Sequence, residues 1–161
     1  MRRLLLMLFA CLVLAGCGFQ LQGVSDYPPE LRSVYLAVPD PNSDLAVHLR
    51  RSLAAGGVEV TQDATAGTAT LQLVNERYGR RVKSVSAQNR PTEYEVFYEA
   101  EYLLEGPEGE LLPAQRVTRT RVFPYNERDI LGKQQEELLL REALAREIAG
   151  LITRQLAGLG S

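Results

Sequence analysis

The chain has 161 residues, 18 basic and 20 acidic, with a formal net charge of −2 and 45% hydrophobic residues. That length suits one domain around one core, and so acidic a balance speaks against nucleic acid as a partner. One histidine and two cysteines exclude a multi-histidine metal site and make a hydrolase with a histidine base hard to assemble.

At the start, Arg2 and Arg3 precede an apolar run, Leu4 to Leu14, that closes with Leu14-Ala15-Gly16-Cys17. A basic segment, an apolar segment too short to span a bilayer, and small residues before a cysteine are the order of a lipoprotein signal peptide. Residues 1–16 are therefore expected to be removed and Cys17 to become a lipidated first residue. With about 0.8 kcal/mol per buried methylene, three acyl chains on one residue make attachment effectively permanent. Cleavage removes two arginines and no acid, leaving sixteen basic against twenty acidic residues, or −4. Cys11 departs too, so no disulfide is available and stability rests on packing. Gly18, standing where aspartate would favour retention at the inner membrane, points to the outer membrane.

Residues 17–32, with Pro28 and Pro29, read as an extended tether, and 33–161 as the single folded domain. Ser33 to Val38 alternates as a strand and Pro39 and Pro41 stop it. Asn42, Ser43 and Asp44 offer cap oxygens, Leu45, Leu49 and Leu53 recur at helical spacing, and Gly56-Gly57 ends the segment; a helix over 43–55 is predicted. Val58 to Val60 is a short strand, Thr68 to Tyr78 another, and a further strand resumes near Arg81.

The clearest period-two pattern follows. Tyr94, Val96, Tyr98, Ala100, Tyr102 and Leu104 share one face, and Glu93, Glu95, Phe97, Glu99 and Glu101 the other. Gly106-Pro107-Glu108-Gly109 predicts a hairpin onto Val117 to Phe123. Charge matching favours Arg119 and Arg121 on the glutamate face. Beyond Pro124, with Asn126 as a cap, a long amphipathic helix over 130–156 buries Leu140, Leu144, Ala145, Ile148, Leu151 and Ile152, with Glu137–Arg141 and Glu142–Arg146 as i,i+4 pairs. The order predicts an α+β fold, a two-layer sandwich with two helices packed on one face of a sheet.

Signals for catalysis are weak. His48, the one histidine, has no visible partner for acid–base work, the alternating glutamates read most plainly as an arginine-paired strand face, and no phosphate loop of recognised spacing appears. Neither an enzyme nor a cofactor is expected. Arg77, Arg80, Arg81, Lys83 and Arg90 place five cations in a stretch without an acid. Guanidinium forks suit phosphates, so a phosphorylated lipid headgroup is one reading; the other is a solvated hairpin whose charges discourage edge-to-edge association. Lys133 falls in the first turns of the last helix, an end that does not favour a cation.

Three stretches together resemble a known family, the LPS-assembly lipoproteins LptE of Gram-negative outer membranes: Cys17-Gly18-Phe19-Gln20-Leu21-Gln22-Gly23, then Thr92-Glu93-Tyr94-Glu95, and Ile130-Leu131-Gly132-Lys133-Gln134-Gln135-Glu136-Glu137. The resemblance implies a mixed four-stranded sheet with two helices, a plug inside the LptD β-barrel that helps that barrel assemble, and binding of lipopolysaccharide. It also implies lipopolysaccharide contacts at Lys133 and at the loop Ser86-Ala87-Gln88-Asn89-Arg90-Pro91, whose Arg90 is displaced from the family position; Arg80, Arg81 and Lys83 join them as candidates. Without a barrel partner, the same features describe a periplasm-facing lipoprotein scaffold or an anionic-lipid-binding module.

Overall fold

The computed structural model describes residues 27–65, 67–125 and 130–160, without the side chains of residues 130, 131 and 133. Cys17, the signal segment, most of the expected tether and the cap at Asn126 lie outside the described residues.

Five strands and two long helices follow in order: β1 (Ser33–Ala37), α1 (Asp44–Ala55), β2 (Glu59–Thr61), β3 (Ala69–Val85), β4 (Pro91–Gly106), β5 (Gly109–Pro124) and α2 (Ile130–Ala157). The sheet order is β2-β1-β3-β4-β5. β1 runs parallel to β2 and β3, and the β3, β4 and β5 pairings are antiparallel, so the sheet is mixed and the fold α+β, as predicted. It has five strands where four were expected, because the three residues of β2 pair along the outer edge of β1.

α1 forms where the sequence places it. The Ser43 hydroxyl accepts the Ala46 amide hydrogen bond at 3.1 Å, and Gly56 closes the helix, satisfying donors and acceptors that a helix end leaves open. Ahead of β1 an extended lead was expected; there Pro29–Leu31 is instead a 3-10 turn and Leu31 is fully buried. Tyr27 packs against the core with its ring on Gly56, where a Cβ would stand 2.6 Å from Tyr27 Cε2.

One apolar cluster joins the layers. Val34 and Leu36 of β1, Leu71 and Leu73 of β3, and Val96, Tyr98, Ala100, Tyr102 and Leu104 of β4 meet Leu45, Leu49 and Leu53 of α1 and Leu144, Ala145, Ile148, Ile152 and Leu156 of α2. Both helices therefore cover the same sheet face, the one the tyrosine alternation marks.

β3 is continuous, without the break predicted ahead of Arg81. A bulge lies between Leu73 and Asn75, where Val74 is an extra residue that changes which side chains face inward. Ala69, Leu71 and Leu73 point to the helices before it; after it Glu76, Tyr78 and Arg80 oppose Ala100, Tyr98 and Val96 on that same side. Gly79 carries the strand past Phe97, since a Cβ there would come within 2.7 Å of Phe97 Cζ.

The parity favoured for β5 is corrected. Arg119 opposes Tyr98 and Arg121 opposes Val96, so both arginines lie on the helix-bearing face and not among the glutamates. Phe123, buried opposite Tyr94, and Val117, opposite Ala100, set that register. Burying one such side chain contributes about 1.5–3 kcal/mol, more than the roughly 1 kcal/mol or less of an exposed ion pair. Arg121 then reaches past the sheet to Glu147 of α2, while Arg116 meets Glu101 at 2.9 Å on the open face.

α2 lies along the β3–β5 hairpins with its first turns at the end far from β1 and β2. Glu137 meets Tyr78 and Arg80 there, and Gln155 accepts from the Tyr102 hydroxyl near the other end. α1 begins beside the middle of α2, where Asp44 lies 2.8 Å from Arg141 and His48 stands 3.8 Å from Glu142. Glu137, Arg141 and Glu142, read from sequence as partners within one helix, thus also tie α2 to β3 and α1.

Candidate functional site

At the far end of the sheet, β3 and β4 run past the helix-covered core and join through residues 86–90. This turn is built by its backbone: the Ser86 amide donates to the Arg90 carbonyl at 2.8 Å, the Asn89 amide donates to the Ser86 carbonyl at 2.9 Å, and Asn89 adopts φ 58°. The Ser86 hydroxyl also accepts the amides of Gln88 and Arg90, each at 3.3 Å. Arg90 is presented, exposed, at the tip of that turn.

The five cations read as one basic segment divide between two faces, because alternate strand residues point oppositely. Arg80 lies on the helix face. Arg77, Arg81 and Lys83 lie on the open face, where β4 supplies the glutamates the alternation predicted. Arg81 donates to Glu95, Lys83 reaches the same carboxylate at 3.2 Å, and Arg77 stands 3.8 Å from Glu99. Glu95 is only 6% exposed. Its hydrogen bonds to Arg81 and Lys83 hold its carboxyl below the ordinary value of 4.5, against the opposing effect of desolvation.

Between Arg77 and Arg81 the Phe97 ring covers Gly79, with the two guanidinium carbons 5.0 and 5.7 Å from its centroid, within the range of a cation–π attraction. The open face is thus a layer of charge-paired and stacked side chains, able to meet a polar wall without an unpaired buried charge.

On the helix face, Arg80 stacks 5.0 Å over Tyr94 and donates to Glu137 of α2 at 2.8 Å. Burial and the neighbouring Glu137 push the Tyr78 hydroxyl above its ordinary pKa of 10, so it stays protonated and donates to that carboxylate. Deeper in, Glu76 accepts both the Tyr98 hydroxyl and, at 2.8 Å, the Ser43 hydroxyl. Lys133 belongs to α2 one turn ahead of Glu137; its side chain lies outside the described residues.

Around these charges the end of the sheet leaves apolar side chains in the open: Val82, Val85 and Val122, and on α2 Leu138 and Leu139, each 58% exposed. Apolar groups interleaved with cations suit an amphiphile with an anionic head. Glu137 and Glu95, which neutralise Arg80, Arg81 and Lys83, are the residues sequence reading did not place in the site. Their signal was present in the alternation of β4 and the stripe of α2, but cross-strand and strand-to-helix partners are set by register. His48 is largely buried on α1 near Glu142. No described helix is long and apolar enough to cross a membrane.

Residues 31–156 match the family model described as LptE, lipopolysaccharide-assembly. Over 153 residues the chain is 29% identical to the LPS-assembly lipoprotein LptE of Photorhabdus laumondii, covering 94% of this chain and 83% of that protein. It is also 29% identical to the protein of the same name from Yersinia pestis, with 94% and 73% covered. Among solved structures, uncharacterized lipoprotein B of Nitrosomonas europaea superposes with TM-score 0.73 at 26% identity, over 87% of this chain and 90% of that one. Rare lipoprotein B of Shewanella oneidensis gives 0.70 at 22% identity, over 78% and 94%.

Proposed function

From the premise that this chain belongs to the LptE family of lipopolysaccharide-assembly proteins, we propose that it is the lipid-anchored plug of the LptD β-barrel in the outer membrane. In this reading it helps the barrel assemble and binds lipopolysaccharide during transport to the cell surface. The observation that carries it is the family match over residues 31–156, joined to a sheet end where cations and uncovered apolar side chains lie together.

Each part of the fold then has a task. Cys17 holds the domain at the periplasmic leaflet, and tethering raises the local concentration of the domain at the barrel. The helix-backed sheet supplies a stiff body. Its open face, where Arg81, Lys83, Arg77 and Arg116 are matched by Glu95, Glu99 and Glu101, meets lumen side chains without leaving a charge unpaired. Lys133, Arg90, Arg80, Arg81 and Lys83 are the proposed contacts for lipid A phosphates, and exposed Val82, Val85, Leu138 and Leu139 the proposed contacts for the acyl chains.

Co-purification from gently solubilised membranes tests the reading. A tagged full-length chain brings down an endogenous outer-membrane β-barrel, and depletion of the chain lowers lipopolysaccharide at the surface. A clean monomer together with unchanged surface lipopolysaccharide overturns it, leaving a lipoprotein scaffold with no barrel partner.

A further inference from the structure

Glu137 reaches from α2 to two side chains of β3, one oxygen accepting from Arg80 at 2.8 Å and the other from the Tyr78 hydroxyl at 3.3 Å. The same carboxylate lines an open cavity of about 390 Å3 between strand and helix, with Tyr78, Gln134, Leu138 and Arg141. Arg80 is half exposed and seated over the Tyr94 ring; Arg141 stands 5.6 Å over Tyr78. A guanidinium braced by an aromatic ring and reachable from solvent, held by a carboxylate that lines a cavity walled in part by exposed Leu138, is a seat for a phosphate carried on an apolar body. In this structure an internal carboxylate fills it.

We propose that Glu137 is a self-inhibitory latch on an anion seat at Arg80: a phosphate monoester of an amphiphile displaces the carboxylate, and the first turns of α2 loosen from β3 as it does so. The inference rests on the lipopolysaccharide-binding reading above and adds regulation to it. The half-exposed Arg80 gains from the exchange, because a phosphate brings nearly two charges and three acceptor oxygens to the fork that one carboxylate oxygen now fills. Apolar anchoring on Leu138, which is 58% exposed and lines the cavity, selects a lipid over a free phosphate.

The latch inverts the usual sign of a contact-breaking substitution. Binding of the protein produced without acylation, so that Cys17 carries no anchor, to phosphatidylcholine vesicles with and without phosphatidic acid is compared with binding of inorganic pyrophosphate, for the unsubstituted chain, Glu137→Gln, and Arg80→Gln combined with Glu137→Gln. Glu137→Gln is expected to bind the phosphatidic acid vesicles several-fold more tightly, the double variant to lose that gain, and pyrophosphate to bind weakly throughout. Unchanged or weaker vesicle binding by Glu137→Gln overturns the latch, as does a gain that survives loss of Arg80. Pyrophosphate binding as tight as vesicle binding overturns the amphiphile.

Hydrogen exchange on the unsubstituted chain decides even where a variant does not fold. Phosphatidic acid vesicles must speed exchange of amides 134–140; unchanged or slower exchange overturns the proposal. Failure of the barrel pull-down alongside a positive latch result separates the two readings.

Discussion

Arg121 of β5 meets Glu147 of α2 across the edge of the sheet, although charge matching within the sheet would have sent it to the opposite face. The pair is a consequence of the register and not its cause. Phe123 is 3% exposed, so Phe123→Ala is expected to lower stability by about 3–5 kcal/mol. Arg121→Ala should cost about 1 kcal/mol or less. Urea unfolding followed by circular dichroism separates them, and equal losses would show that the ion pair sets the register.

Glu95 gives the open face an acid-sensitive joint. Its carboxyl is held below the ordinary value of 4.5 by Arg81 and Lys83, so its contribution is present above the unfolded-state value and is lost as pH falls through the depressed one. Unfolding midpoints of the native chain should therefore drop on acidification below about pH 4, and those of Glu95→Gln should drop less steeply. Parallel slopes for the two proteins would contradict the assignment.

At high pH the buried tyrosines act with the opposite sign. Tyr27, Tyr78, Tyr98 and Tyr102 all have raised pKa values, with burial the largest cause in each. Protection of their protonated form is complete below the unfolded-state value near 10 and is lost as pH rises above it. Tyrosinate absorbance for these four should appear at higher pH than for the other three, in step with loss of circular dichroism. A gradual titration of all seven tyrosines in the folded protein would refute this.

Gly79 is required by the ring that lies across it. Gly79→Ala places a methyl 2.7 Å from Phe97 Cζ and is expected to destabilise by about 1–3 kcal/mol. Combining it with Phe97→Leu should recover part of the loss, because the two side chains share one space. Thermal unfolding of the single and double variants measures the coupling, and strict additivity would rule it out.

Charge reversal at Lys133 and Arg90 tests the proposed lipid A contacts. Each charge-assisted hydrogen bond contributes about 1.5 kcal/mol, so Lys133→Asp with Arg90→Asp should weaken lipopolysaccharide binding roughly a hundredfold. Circular dichroism should stay unchanged, since charge changes at surface positions cost little. Native affinity with a native spectrum would remove both residues from the site.

How much of this was legible in the sequence follows from the range of the forces involved. α1 was readable to within a residue because its signals, the Ser43 cap and the Gly56-Gly57 stop, are local. The inward face of β4 was readable because six apolar or aromatic residues alternate without interruption. The faces of Arg119 and Arg121 were not, since charge pairing is weaker than the burial of Phe123 that overrode it. The continuity of β3 was hidden at Gly79, a residue that by itself weakens a strand and here is needed where the Phe97 ring crosses it. In the candidate site the cations stood out as a run, but their separation onto two faces and their neutralisation by Glu95, Glu99 and Glu137 depend on register and helix placement, which no local window contains.

The extra residue in the β3 bulge has a reach well beyond its own position. Were Val74 to take a regular place in the ladder, everything downstream in the strand would change sides, turning Arg77 and Arg81 beneath α2 and sending Tyr78 and Arg80 out to solvent, whereas its deletion would leave Asn75 opposite Glu101 and every later pairing as it stands. Descendants of this chain can thus lose that one residue and keep the far end intact, but a codon gained or lost further along β3 would have to be absorbed by a new kink or would turn the remaining side chains over.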